Sequence, residues 1–268
     1  MIIYVMIVTM IFMYNRGTSV DTTMLYIDGD IILYKVCWAV QKEVEWDDGE
    51  LTLYSDMKEL KDTFNIHLNN LLDKTGYDKY TICLSDHTNN FRKKIFPDYK
   101  ANRKSKMKPL GYKKLEEHLI VSYCTRFMQD LEADDVIGIM MTRFPGGMSA
   151  SIDKDMLTIP GTHYNMDTES KFGIDINIAN FHFYKQVLTG DAVDNYKGCP
   201  GIGVKRALDL LEEPLTHKEY WEVIVAAYNK AGLTEEDAII QARMARILRN
   251  DDYDYDKQEV KLWEPSKK

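Results

Sequence analysis

The sequence predicts an α/β fold in which a mostly parallel central sheet is flanked by helices and followed by a helical C-terminal part. Short apolar runs alternate with amphipathic stretches between residues 24 and 152, as they do in βα units. Several of these runs end at an aspartate. From residue 178 onward the apolar residues have helical spacing. The 268 residues provide enough chain for a catalytic domain with an attached binding module.

The predicted elements follow one another in a regular order. Residues 25–27 are an apolar run typical of a buried strand, and the stretch after them has helical spacing. Alternating residues around Asp47-Asp48-Gly49 indicate a β-hairpin. We predict strands over 25–27, 79–84, 125–128 and 149–152, a hairpin over 43–54, and helices over 31–40, 56–72, 110–123, 133–143, 205–211, 218–231 and 235–248.

The N-terminal extension, residues 1–23, begins with fourteen almost wholly apolar residues. A membrane-spanning helix needs about 20 apolar residues, and a secretory signal carries a basic segment before its apolar run. We therefore expect no membrane anchor and no membrane partner. An alternative is that translation begins at Met24, which opens the first predicted strand.

Composition narrows the class of protein. The four cysteines are far apart and form no CxxC pair, so neither a structural zinc site nor a disulfide framework is indicated. A reducing compartment, the cytoplasm, is the expectation. The formal net charge of −8 argues against a uniformly basic nucleic-acid binder. Charge is nevertheless segregated, because residues 92–114 contain ten basic residues and one acid, Asp98.

Acidic residues occur in short clusters that follow predicted strands or open predicted helices. In a parallel sheet the carboxyl ends of the strands share one edge, where ligands bind. Crowded carboxylates repel one another unless cations neutralise them, and all-oxygen ligation selects Mg²⁺ or Mn²⁺. Two such ions can clamp a phosphodiester. The alternative for residues 132–135 is helix capping. The candidate metal ligands are Asp28, Asp86, Glu132, Asp134, Asp135, Asp153, Asp155, Asp191 and Asp194.

A glycine-rich turn over residues 198–206 lies between two helical stretches. Its glycines permit a tight turn with bare amides, which can hold a phosphate of the DNA backbone. The alternative is an ordinary loop between helices. Adjacent cations favour the binding function. The candidate DNA contacts here are Gly198, Gly201, Ile202, Gly203, Lys205 and Arg206.

The basic segment begins directly after the second strand that ends in an acid, so we interpret it as a phosphate-steering arch. Arg92 and Lys100 are the candidates for stabilising charge on the scissile phosphate, and Arg103 would share a helix face with Lys100. Lys93 and Lys104 are candidate DNA contacts. The alternative is a solvated helix face. The six histidines show no ligand spacing and are assigned no catalytic role.

Five motifs in this order resemble the 5′→3′ exonuclease and flap endonuclease family, most closely the stand-alone bacteriophage exonucleases. The resemblance runs from residue 24 to about 211. The motifs are IDGD, SDHTNNFRKKIFPDYKANRKS, LEADD, SIDKDMLTIPG and LTGDAVDNYKGCPGIGVKRA.

The resemblance implies a PIN-like catalytic domain over 24–177 with a helical arch at about 88–110, and a helical DNA-binding domain over 178–268 with a helix-hairpin-helix motif at about 188–211. It places Asp28, Asp86, Glu132 and Asp134 around one metal. It places Asp135, Asp153, Asp155 and Asp194 at the second, with Asp191 nearby. It also implies K⁺ on the hairpin.

The sequence therefore predicts a divalent-metal-dependent 5′→3′ exonuclease that acts on duplex or branched DNA in phage DNA replication or recombination. Flap cleavage and removal of RNA from an RNA–DNA hybrid are companion activities under the same resemblance. Two alternatives remain open at this point. One is a PIN-type ribonuclease, and the other is a non-catalytic, structure-specific DNA-binding protein whose acids are structural.

Overall fold

The computed structural model describes residues 24–47, 49–103, 107–211 and 216–265. Within these ranges, one sheet contains six strands: β1 (Leu25–Asp28), β4 (Tyr80–Leu84), β5 (Thr125–Phe127), β6 (Met148–Ser151), β7 (Gly161–Asn165) and β8 (Ser170–Ile174). Their order is β5-β4-β1-β6-β7-β8, with β8 antiparallel to β7 and the other neighbours parallel. The predicted mostly parallel sheet is confirmed.

Helices cover both faces of this sheet because its central strands are apolar on both sides. Leu25 and Ile27 face the cluster that contains α1 (Gly29–Val40), α2 (Met57–Thr75) and α4 (Tyr112–Ser122). Tyr26, which points the opposite way, packs with α5 (Ala133–Arg143). The antiparallel strands β2 (Lys42–Glu45) and β3 (Leu51–Tyr54) form the hairpin predicted from the sequence.

The C-terminal part packs around a third, aromatic core. It contains α6 (Ile176–Thr189), α7 (Val204–Leu210), α8 (His217–Lys230), α9 (Glu235–Ala245) and the short strands β9 (Tyr253–Asp254) and β10 (Glu259–Val260). Phe183, Tyr184 and Trp221 are buried here. Tyr99 joins the same core from the basic segment, so that segment is anchored on the helical part.

Two features differ from the sequence-based expectation. The β7–β8 hairpin is not predicted, because residues 161–174 are largely polar and lie at the edge of the sheet. The predicted helical arch is wrong for the described part of residues 88–110. That part contains only the five-residue helix α3 (Phe91–Ile95) and a 3-10 turn at Ala101–Arg103. Pro97 disfavours helical backbone at Phe96, which is extended with φ −134°.

Some expectations fall outside the described residues, namely the N-terminal extension over 1–23 and the DNA contact assigned to Lys104. Among the residues that the structure does describe, no helix has the length and apolar character needed to cross a membrane.

Candidate active site

The carboxyl edge of the sheet forms a cleft that collects the acidic side chains predicted to act together. Asp28 is the last residue of β1, and Asp86 and Asp153 lie just beyond β4 and β6. Because these strands are parallel neighbours, their ends deliver the three carboxylates to one edge. Glu132 and Asp134, at the start of α5, line the same cleft.

Asp28, the last residue of β1, is deeply buried at the cleft. Its side chain is 3% exposed and accepts hydrogen bonds from the amide of Ile31, at 3.2 Å, and from the Ser151 hydroxyl, at 2.8 Å. Burial, together with the nearby charge of Asp30, raises the pKa of Asp28 to about 7. Burial and the charges of Asp28 and Asp153 likewise raise the pKa of Asp134. A bound cation would therefore stabilise the ionised form of these carboxyl groups.

A second acidic group combines the sheet edge with the helical part. Asp155 follows β6, whereas Asp191 lies in the turn after α6. The Lys154 ammonium lies between them, 3.3 Å from Asp155 Oδ1 and 2.5 Å from Asp191 Oδ2. Gln186 Nε2 donates to Asp155 Oδ1 at 2.5 Å. Burial, followed by the charge of Asp153, raises the pKa of Asp155 to about 6.

Lys100 connects Glu132, which lines the cleft, with Asp194, whose charge acts on Asp155. Its Nζ lies 2.5 Å from Glu132 Oε1 and 3.5 Å from Asp194 Oδ2. The Tyr99 hydroxyl donates to the same two carboxylates, at 2.8 Å and 3.0 Å, and Arg103 Nη2 is 2.5 Å from Asp194 Oδ1. Burial alone would raise the pKa of Glu132, but Lys100 and then Arg92 lower it to about 2. Lys100 and Arg103 thus lie among the candidate metal ligands.

Asp86 is held mainly by backbone groups. Its carboxylate accepts hydrogen bonds from the amides of Thr88, Asn89 and Asp130 at 2.9 to 3.0 Å. Burial would raise the pKa of Asp86, but these amides, that of Asp130 foremost, hold it below the ordinary value. The Asp86 carboxylate is therefore ionised, and the three backbone hydrogen bonds fix its orientation at the cleft.

Asp135 and Arg92 differ from their predicted roles. Asp135 is fully buried, and its two oxygens accept from Arg92 Nη1 and Nη2, both at 2.7 Å. The amides of Glu132 and Leu248 also donate to this carboxylate. The Arg92 side chain is 3% exposed. This buried, bidentate pair leaves neither a free ligand face on Asp135 nor a guanidinium that can reach a phosphate, so both expectations are corrected.

The glycine hairpin spans the turn between α6 and α7. Gly198, at φ +65°, packs so closely on Gly190 that a Cβ would lie 2.3 Å from the Gly190 nitrogen. Its amide donates to Gln241 Oε1 at 2.8 Å. The Ile202 amide donates to the Cys199 carbonyl at 3.1 Å, and the Ile202 side chain is buried. The expectation that the Gly198 and Ile202 amides are bare is therefore wrong.

The remaining predicted contacts of the hairpin are accessible. Gly201 and Gly203 are exposed, and a Cβ at either position would meet no heavy atom within 4 Å. Lys205 and Arg206, in the first turn of α7, are also exposed. Lys93 is exposed and lines the cleft. These residues keep the surface that contact with a DNA backbone requires.

Sequence reasoning missed three residues that organise the site. Tyr99 and Gln186 are nearly buried and bond to candidate ligands, and Lys154 contacts two of them. Lys154 lies between two predicted ligands in the sequence, which was a usable signal. Gln186 gave no such signal, because it is one of several polar residues along α6 and nothing in the sequence distinguishes it from the others.

Comparison with known proteins identifies the class to which this site belongs. A family model described as the 5′-3′ exonuclease N-terminal resolvase-like domain matches residues 23–186. The chain belongs to the 5′-3′ exonuclease family. It is therefore a nuclease, which confirms the resemblance found in the sequence motifs.

Relatives of the family match nearly the whole chain. The chain is 29% identical to an exodeoxyribonuclease of Enterobacteria phage T3 and 28% identical to an exonuclease of Escherichia phage T7. Each alignment covers 91% of this chain and 94% of the relative. A structure of the T5 5′-exonuclease with divalent zinc ions bound has a TM-score of 0.60 at 15% identity, covering 83% of this chain and 89% of that one. This structural similarity shows the shared fold.

Proposed function

We propose that this family member is a divalent-metal-dependent 5′→3′ exonuclease that hydrolyses phosphodiester bonds of duplex DNA. The observation that carries the proposal is the meeting of two acidic groups at Asp153, whose charge acts on Asp134 in one group and on Asp155 in the other. The carboxylates of Asp28, Asp134 and Asp153 form the first, and those of Asp155, Asp191 and Asp194 form the second.

The acidic groups fit two hard divalent ions, Mg²⁺ with Mn²⁺ as a substitute. Burial and neighbouring carboxylates raise three carboxyl pKa values, those of Asp28, Asp134 and Asp155, as expected of acids that serve as metal ligands. The Lys154 ammonium already lies where a cation would bind between Asp155 and Asp191. The buried Gln186 Oε1 atom has no hydrogen-bond partner among the described residues.

Asp28, Asp134 and Asp153 would hold one ion, with Asp86 and Glu132 beside it. Asp155, Asp191 and Asp194 would hold the second, with Asp153 between the two. When bound, the pair would neutralise the scissile phosphate and promote attack by water.

The chain's own residues would position the phosphate and balance its charge. Lys100, which lies between Glu132 and Asp194, is within reach of a phosphate bound between the two acidic groups. Arg103 pairs with Asp194 on the exposed side. Both cations would turn from the carboxylates toward the phosphate once metal ions neutralise the acids, stabilising the charge of the transition state. The Tyr99 hydroxyl would keep Glu132 and Asp194 in place.

The glycine hairpin would bind the duplex part of the DNA, outside the cleft in which cleavage occurs. We assign the catalytic domain to residues 24–177 and the DNA-binding domain to residues 178–268, with the hairpin motif at about 188–211. Gly201, Gly203, Lys205 and Arg206 would contact the backbone, and K⁺ would bind carbonyl groups of the same turn. The substrates would include flaps and RNA–DNA hybrids in phage DNA metabolism in the host-cell cytoplasm, with 5′-phosphate products.

The test uses two duplexes that differ only in the end that carries the label. With Mg²⁺, the 5′ label should be released first, and EDTA should abolish release. The Asp153→Asn and Asp155→Asn variants should bind the duplex and not cleave it, with Asp62→Asn, an exposed acid on α2 that does not line the cleft, as the matched control. Early release of the 3′ label would contradict the polarity.

The same assay, with single-stranded RNA as an additional substrate, separates the alternative functions. Faster cleavage of single-stranded RNA than of DNA would favour a ribonuclease. Binding without cleavage by the unmodified chain, with either Mg²⁺ or Mn²⁺, would favour a structure-specific binding protein.

A further inference from the structure

Three side chains of metal-ligating type meet beside the first acidic group, and two of them line the same cleft. They are Asp30, His87 and Glu116, and one donor atom from each lies within 4.8 Å of the other two. His87 Nε2 is 2.9 Å from Glu116 Oε1 and 3.8 Å from Asp30 Oδ1. We propose that this triad is a binding site for a divalent transition-metal ion, with Zn²⁺ as the fitting occupant.

The three ligands come from three separate elements. Asp30 lies in the first turn of α1, His87 in the loop after β4, and Glu116 within α4. The helices α1 and α4 pack in one hydrophobic core, and β4 is a buried strand of the sheet. The backbone positions of the triad are therefore fixed by the packing of the catalytic domain, so little ordering would be needed when an ion binds.

Tyr112 supports two members of the triad from behind. Its hydroxyl donates to Asp30 Oδ1 at 3.3 Å, and its ring meets the His87 ring edge-on at 5.9 Å between centroids. The Tyr112 side chain is 4% exposed. Outer partners of this kind orient the ligands of protein-bound metals and are as much part of such sites as the ligands themselves.

The chemistry of the triad selects a different ion from that of the acidic groups. An imidazole donor favours Zn²⁺ over Mg²⁺ and Mn²⁺, which prefer oxygen ligands. Donor atoms about 2.1 Å from a tetrahedral ion stand roughly 3.4 Å apart, which lies between the two distances from His87 Nε2. The side chains of Asp30, His87 and Glu116 are 27%, 35% and 15% exposed, so an ion would keep open positions toward solvent.

Lys108 modulates the charge of this site. Its ammonium lies 3.8 Å from the centroid of the Tyr112 ring and is attracted electrostatically by Asp30 and Glu116. It therefore supplies positive charge that an ion would otherwise supply. Replacing it with an uncharged residue, Lys108→Gln, should strengthen ion binding.

The experiment follows the histidine imidazoles of the full chain by NMR while Zn²⁺ is added in the presence of saturating Mg²⁺. The His87 nitrogen signals should shift and saturate at one ion, whereas Mg²⁺ alone should leave them in place. Glu116→Gln and Asp30→Asn should each weaken the Zn²⁺ affinity at least about 10-fold. Glu117→Gln, which alters the exposed neighbour of Glu116 by the same charge, should bind Zn²⁺ like the unmodified chain.

Further variants keep the result independent of catalysis and folding. Asp153→Asn, which alters the proposed Mg²⁺ site, should retain the Zn²⁺ response of His87. The signals of His163 and His217, which lie in the interior or at a helix start, report that each variant is folded. A His87 signal that ignores Zn²⁺, or an equal loss in Glu116→Gln and Glu117→Gln, would overturn the proposal and leave the triad as a hydrogen-bonded ion network.

Discussion

Arg92 shows how one buried cation can hold several parts of the molecule together. Its guanidinium pairs with Asp135 on α5 and approaches Glu132 at 3.2 Å. It also donates to the backbone carbonyls of Met244 and Arg246, at 3.1 Å and 2.6 Å, at the end of α9. A residue in the basic segment thus joins the acidic cleft to the C-terminal helices.

We predict that Arg92→Met lowers the free energy of unfolding by about 3–5 kcal/mol, because it leaves the Asp135 carboxylate buried without a partner. Urea unfolding followed by circular dichroism measures this. Lys93→Met, at the exposed neighbouring position, should change the stability little. If Arg92→Met is as stable as the unmodified chain but cleaves much more slowly, the role first predicted for Arg92, stabilising charge on the scissile phosphate, would be supported instead.

Asp28 links the cleft to the pH dependence of stability. Its pKa is raised from 3.8 to about 7, so the folded, metal-free chain binds this proton more tightly than the unfolded chain does. The free energy of unfolding must therefore fall as the pH rises from 3.8 to about 7. Above about pH 7 this decrease in stability is complete.

The corresponding prediction compares the chain with Asp28→Asn in EDTA at pH 5 and pH 8. The variant keeps a similar side chain without the charge, so its melting temperature relative to the unmodified chain should increase with pH. Adding Mg²⁺ to the unmodified chain should raise its melting temperature more at pH 8 than at pH 5. An unchanged difference between the two proteins across this range would show that Asp28 does not titrate there.

At the scale of elements, the glycine hairpin divides into a tightly packed part and an open part. Gly190 and Gly198 bring two backbones into contact, whereas Gly201 and Gly203 face open space. The same residue type thus serves the fold at one end of the turn and leaves the backbone accessible at the other.

A pair of matched substitutions separates these roles. Gly198→Ala should destabilise the chain by more than about 1–2 kcal/mol, because the φ of +65° is strained for alanine and the added Cβ meets Gly190. Gly203→Ala, at the N-cap of α7 with φ −90°, should cost no more than about 1 kcal/mol while weakening duplex affinity in fluorescence anisotropy. Duplex affinity unaffected by Gly203→Ala would contradict a phosphate contact at this backbone.

The predictability of each element follows from its burial. The strands β1, β4 and β6 are apolar and central, so their positions and the acids beyond them could be predicted from the sequence. The hairpin of β7 and β8 could not, because it lies at the sheet edge and alternates weakly.

The partners of individual site residues could not be predicted either. The pairing of Asp135 with Arg92 joins positions 43 residues apart, and no local pattern distinguishes it from metal ligation. For the same reason the approach of Gln186 to Asp155 is visible only in three dimensions.

At the scale of the whole molecule, both halves of the chain contribute acids to one cluster, which is joined through Asp155 and Lys154. The sheet supplies Asp28 and Asp153, and the segment after α6 supplies Asp191 and Asp194. Tyr99, Lys100 and Arg103 reach across from the basic segment to this later segment. The acids are therefore assembled only when both halves are folded together.

The separation of charge leads to a prediction about DNA binding. The chain carries a net charge of −8, so attraction to DNA must come from local basic surfaces such as Lys93 at the cleft. Each phosphate contact that a cation makes releases counterions from the DNA, and the affinity then falls with salt. Removing one contact should reduce the slope of log affinity against log salt by about 1.

We therefore expect Lys93→Gln to weaken duplex binding at low salt and to give a shallower salt dependence than the unmodified chain. The matched control is Lys58→Gln on α2, an exposed lysine that does not line the cleft. Affinities measured in EDTA, in which cleavage should stop, over a range of KCl concentrations supply both slopes. Both variants lower the net charge of the chain by one, so a general charge effect would change the two slopes equally. Equal slopes for the Lys93 and Lys58 variants would therefore mean that the DNA does not contact the cleft at Lys93.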